Sequence, residues 1–184
     1  MKTLIFNLVL FVWAGAVSAQ GIVELNETTV SFAPNASHIT NSGNKYFYNV
    51  SETYTGEFEK DPLAFMEKNF DVDRFILELK DKDMDSYQVS FVTLKGFLKV
   101  DFDREGKVVK TYQRFRNIKL PNALSHEIYR DYKGWNILRN LYVAKGRNGN
   151  IDKEFYRLKL ENGNKIQNIK IDRTEVAPIE LASN

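Results

Sequence analysis

Between Phe97 and Phe115 the chain has little conformational choice. Leu98, Val100 and Phe102 alternate with Lys99, Asp101 and Asp103. This period of two sorts apolar and charged side chains onto opposite sides of a strand. Asp103-Arg104-Glu105-Gly106 is a turn, and Val108 to Phe115 returns as a second strand. A strand pair of this kind needs an apolar layer against one face and water against the other.

The rest of the chain supplies that layer and more strands. Asp61-Pro62 is a helix start, because Asp caps free amides and Pro at the first helical position loses no needed hydrogen bond. Leu63, Met66 and Phe70 follow at helical spacing. Asp73 to Leu79, with Phe75, Leu77 and Leu79 on one parity, reads as a strand. A second helix begins at Pro121, carries Leu124, Ile128 and Tyr132 at intervals of four, and stops at Gly134. Strands are expected over Tyr87–Leu94, Asn136–Val143, Glu154–Leu160 and Lys165–Asp172, with a tight hairpin at Asn162-Gly163. Helix followed by three strands thus occurs twice, over 61–118 and 119–175. The expected fold is α+β: tandem αβββ-type repeats form an antiparallel sheet with two short helices on one face, and the other face is partly open to solvent.

The ends read differently. Lys2, the apolar run from Leu4 to Trp13 and the small residues up to Ala19 form an export leader over residues 1–19. Periplasmic or secreted localisation follows from it. The run is short of the ~20 apolar residues of a spanning helix, so no transmembrane segment is expected in the mature chain. Residues 20–60 form a strand and loop arm, with Ile22 to Phe32 as strand material. Residues 61–175 form the main domain, and 176–184 a tail. The chain has no cysteine, which excludes disulfides and thiolate metal sites. The formal net charge of +2 argues against a dedicated nucleic-acid surface. Asn26, Asn35 and Asn49 open glycosylation-type triplets, a pattern short enough to arise by chance in an Asn-rich chain.

The run Val100-x-Phe102-Asp103-x-x-Gly106, Leu120-Pro121, Ile128-x-x-x-Tyr132-x-Gly134-Trp135-x-Ile137 and Tyr156-x-Leu158-x-Leu160-x-x-Gly163 resembles PepSY-like proteins of Bacteroidota, whose fold is similar to the β-lactamase-inhibitor protein. The resemblance implies an exported, non-enzymatic domain that binds proteins, peptides or envelope components. The matched positions are fold positions, so it carries no binding residue across.

Catalytic patterns are weak. His126 and His38 have no ligand-spaced companion, and Ser125 beside His126 faces the wrong way for a nucleophile–base pair. Asp81, Asp83 and Asp85 open like a calcium loop but lack its glycine and its closing carboxylate. No cofactor is called for. Lys107, Lys110, Arg114, Arg116 and Lys119, with Tyr112 and Phe115 interleaved, read as a solvated sheet face. Asp101, Asp103 and Glu105 are expected to form cross-strand ion pairs with it. Tyr46, Tyr48 and Tyr54 share a parity and are candidate binding residues together with Tyr112 and Arg114, since tyrosine favours interfaces. Core packing is the competing reading for that tyrosine segment. The expected function is a non-catalytic envelope binding module that contacts a protein or peptide through a sheet face. The alternatives are a hydrolase using carboxylates such as Asp101 or Asp103, and a structural envelope component.

Overall fold

A computed structural model of the protein describes residues 33–79 and 84–173. The expected leader over 1–19, the strand from Ile22 to Phe32, the tail over 176–184, and Asp81 and Asp83 lie outside these residues. In chain order the elements are β1 (Ala36–Ser42), β2 (Lys45–Val50), a 3₁₀ turn (Glu52–Tyr54), α1 (Thr55–Lys60), α2 (Pro62–Asn69), α3 (Val72–Leu79), β3 (Ser86–Thr93), β4 (Gly96–Asp103), β5 (Val108–Arg116), α4 (Asn122–Asp131), β6 (Asn136–Arg147), β7 (Asn150–Asn162) and β8 (Lys165–Asp172).

The strands form one eight-stranded sheet in sequence order. Every neighbouring pair is antiparallel except β2 and β3, which run parallel. Parallel neighbours need a long crossover, and the turn and three helices between β2 and β3 provide it. The described part of the expected arm is therefore built into the sheet through β1 and β2. The sheet is larger than expected, and four helices stand where two were expected.

α2 follows its sequence signals: Asp61 accepts from the Ala64 amide at 3.1 Å, and Pro62 opens the helix. α3 corrects the expected strand at Asp73–Leu79. Asp71 accepts from the Arg74 amide at 3.0 Å, the bond of a helix N-cap. Phe75 is buried while Val72, Ile76 and Leu79 pack partly against the core, a helical stripe; Leu77, which suggested alternation, is 68% exposed. Both periods were present in the same few residues, and the cap with the buried stripe decides between them. In α4, Leu124 and Ile128 are buried, and Gly134 turns the chain with φ of 80°.

The alternation in the strands sets the core. Tyr46, Tyr48, Val50, Val89, Phe91, Leu98, Val100, Phe102, Phe115, Leu158 and Leu160 all point toward the helices and join one cluster with Phe58, Phe65, Phe70, Phe75, Leu124 and Ile128. Aromatic rings seat the helices on the sheet: Phe70 meets Phe91 at 5.3 Å between centroids, Phe58 meets Phe115 at 5.5 Å, and Tyr46 meets Phe75 at 5.0 Å. Such pairs add roughly 0.5–1.5 kcal/mol each beyond area burial.

Gly96 stands where β4 packs closely on β5. A Cβ there would overlap the Arg114 carbonyl and lie 2.7 Å from the Phe115 Cα. Gly96→Ala is expected to cost roughly 1–3 kcal/mol, the overpacking range, read as a lowered urea midpoint. An unchanged midpoint would mean that β4 and β5 do not approach this closely.

Burial shifts three phenols. It raises Tyr48 well above the usual range, helped by Tyr46 and Glu78. It raises Tyr142 likewise, helped by the Glu154 carboxylate that accepts its hydrogen bond. It pushes Tyr156 up from 10.0 to about 12, with Glu154 again contributing. An unfolded tyrosine ionises first, so the folded state holds more protons above pH 10. The stabilisation is complete below that pH and is lost as pH rises toward the folded values. The urea midpoint should fall from about pH 9 to about pH 11.5, and fall less steeply in a Tyr142→Phe/Tyr156→Phe variant.

Candidate functional site

With all described helices on one side, no described helix covers the other face of the sheet. Strand register fixes which side chains stand there. Lys45, Lys99, Lys110, Arg114, Arg116, Arg139, Lys145, Arg147, Lys153, Arg157, Lys159 and Lys170 stand there, against Asp101, Asp103, Asp152, Glu161 and Asp172. The helical layer has the reverse balance. Glu52, Glu57, Glu59, Asp61, Glu67, Asp71, Asp73 and Glu78 share their stretch with only Lys60, Lys68 and Arg74. The near-neutral total therefore conceals two layers of opposite sign.

The expected cross-strand ion pairs do not neutralise this face, which corrects the sequence reading. Asp101 accepts from the Gln88 side-chain amide at 2.8 Å. Asp103 accepts from the backbone amides of Lys107 at 2.8 Å and Glu105 at 3.1 Å, holding the β4–β5 turn. Arg147 pairs with Asp152, and Lys170 with Asp172, each at 2.7 Å. Among the described residues Arg114, Arg116, Arg139, Lys145, Arg157 and Lys159 form no ion pair.

Aromatic rings hold several cations in place. Lys145 lies 5.5 Å from the Tyr112 centroid, and Phe155 has Arg157 at 5.3 Å and Lys170 at 4.9 Å. Phe97 meets Tyr112 edge-on at 5.7 Å. Phe97, Arg114, Val143, Phe155 and Asp172 are register partners from β4 to β8, which makes a partly apolar band across the sheet. On one side of it is a trough of about 840 Å³, lined by Arg116, Asn117, Arg139, Asn140, Leu141, Arg157, Leu158, Lys159, Asn168, Ile169 and Lys170. On the other side is a depression of about 460 Å³ that includes Lys99, Lys110, Lys145 and Arg147 but also Asp101 and Asp152. Among the described residues the trough has no carboxylate in its lining.

The five sequence candidates separate. Tyr112 and Arg114 stand on the open face, half-buried. Tyr46 and Tyr48 are 3% and 1% exposed and belong to the core rather than to a surface. Tyr54 packs partly against that core from the 3₁₀ turn. The cations of β6 to β8 were missed because their strands were read only for their apolar parity. Reading the opposite parity of β7, Lys153-x-Phe155-x-Arg157-x-Lys159, would have found them.

Other candidates resolve as structure. Asp85 pairs with Arg104 at 3.0 Å, and the described residues contain no group of three or more metal-ligating side chains. Asn35, one of the triplet asparagines, donates its side-chain amide to Asn69 at 2.5 Å and ties the start of β1 to α2. No helix among the described residues is long and apolar enough to cross a membrane.

Like charges about 10 Å apart repel by about 0.4 kcal/mol per pair even in water. Removing one cation should therefore relieve the fold. Arg139→Gln is expected to raise stability by about 0.5 kcal/mol at low salt, with the gain vanishing as salt screens the face. A loss of stability in the low-salt melting curve would show that Arg139 is held by a compensating partner. Comparison with family models, with curated proteins and with solved structures finds no match to this chain.

Proposed function

We propose that the protein is a non-catalytic binding module that takes an acidic protein or peptide on the uncovered face of its sheet. The observation that carries this reading is the gathering of unpaired cations on one solvent-facing surface. A face kept only for solubility would interleave both signs. Separation by layer costs repulsion that an anionic partner removes, and it steers such a partner to one side of the molecule.

The carboxylates considered for hydrolysis support the non-catalytic reading. Asp103 is occupied by turn amides and Asp101 by Gln88. The leader-like residues 1–19 support export to the periplasm or beyond, with the envelope as the place of action. On the same reading, the two runs of helix followed by three strands are related units of a PepSY-like domain, and the trough spans the end of the first and the strands of the second.

The test is retention on immobilised poly-L-glutamate. The wild type is expected to bind at low salt and elute as sodium chloride rises. A Lys99→Glu/Arg114→Glu variant, with the net charge of this face lowered by four, should elute at clearly lower salt. Equal elution of the two proteins would defeat the assignment to the sheet face.

A further inference from the structure

The open face is not uniform, and its pattern bears on the partner's chemistry. This inference rests on the sheet-face reading above. Arg116, Leu141, Arg157 and Lys170 are register partners across β5 to β8. Two positions along the strands, Arg139, Lys159 and Asn168 form a second row. Two positions the other way lies the band with Val143 and Phe155. Successive rows are thus about 6.8 Å apart along the strand direction, which is also the repeat of same-side residues in an extended peptide.

We infer that the trough takes an extended peptide segment with two carboxylates on alternate residues, followed at the next alternate residue by an apolar or aromatic side chain. The carboxylates lie over the Arg139–Lys159 row and the Arg116–Arg157 row. The apolar side chain lies against half-buried Phe155 in the next row. Guanidinium groups suit this task because their planar forks bind carboxylates through two parallel hydrogen bonds.

The surroundings select a peptide over other polyanions. A polyphosphate or sulfated glycan would leave the half-buried Leu141 and Phe155 without an apolar contact. Single-stranded nucleic acid binds such surfaces by stacking bases on aromatic rings. Among the described residues the trough's lining contains no aromatic ring for a base to stack on. A flat bilayer does not enter a trough.

Fluorescence anisotropy with a labelled hexapeptide tests this. The probe has glutamate at its first and third positions, phenylalanine at its fifth and serine elsewhere. The proteins are the wild type, Arg116→Ala/Arg139→Ala in the trough, and Lys110→Ala/Lys145→Ala in the other depression. All substituted side chains are solvent-facing, and matched melting curves confirm folding. Each lost arginine contact should weaken binding about tenfold, and the lysine pair should change it less than about threefold. Exchanging the probe's phenylalanine for serine should also weaken it about tenfold. If the lysine pair abolishes binding and the arginine pair does not, the trough is the wrong place while the sheet-face reading stands. If heparin or single-stranded DNA competes at the trough and the peptide does not bind, the partner class is wrong. If the wild type binds no probe, both readings fall.

Discussion

The one-sided seating of the helices on the sheet governs this molecule. Phe58, Phe70 and Phe75 come from the crossover between β2 and β3, and they pack on rings and aliphatic groups of β2 to β5. The crossover must pass over one face of the sheet, since its ends lie in adjacent parallel strands. It is dense in aromatic residues, so it dries that face thoroughly. No described helix covers the opposite face, which must satisfy water by itself.

Charge follows from that asymmetry. The strands bury one parity and spend the other on polar side chains, many of them Lys and Arg. The helices bury one stripe each, and their outer surfaces carry mostly Asp and Glu. Two layers of opposite sign result, although the whole chain has a net charge of only +2. A net charge describes solubility and average attraction, whereas binding depends on how charge is distributed over the surface. The cations are also partly immobilised by Tyr112 and Phe155, which lowers the entropy lost when they engage an anion.

The strand order from β3 to β5, the N-cap at Asp61 and the helix at Leu124 and Ile128 were legible because local pattern and tertiary need agree there. α3 was misread because Phe75, Leu77 and Leu79 satisfy a period of two while Val72, Phe75, Ile76 and Leu79 satisfy a helical one. Tyr46 and Tyr48 were candidate contacts because tyrosine serves both cores and interfaces. The parallel partner β3 and the overlying Phe70 and Phe75 place them inside. The ion pairs expected of Asp101 and Asp103 failed for a local reason: a neighbouring amide or a turn backbone already occupied each carboxylate.

The sequence by itself determined that this chain forms a sheet with one dry face, that helices supply the dryness, and that no thiolate chemistry is available. These follow from alternation, capping residues and composition, all local properties. Only the tertiary structure decided that β1 and β2 join the same sheet, and that the outward cations of β5 to β8 meet in one trough. Those cations come from four strands between Arg116 and Lys170. The register that makes Arg116, Arg157 and Lys170 neighbours depends on turn lengths and bulges summed over the whole sheet.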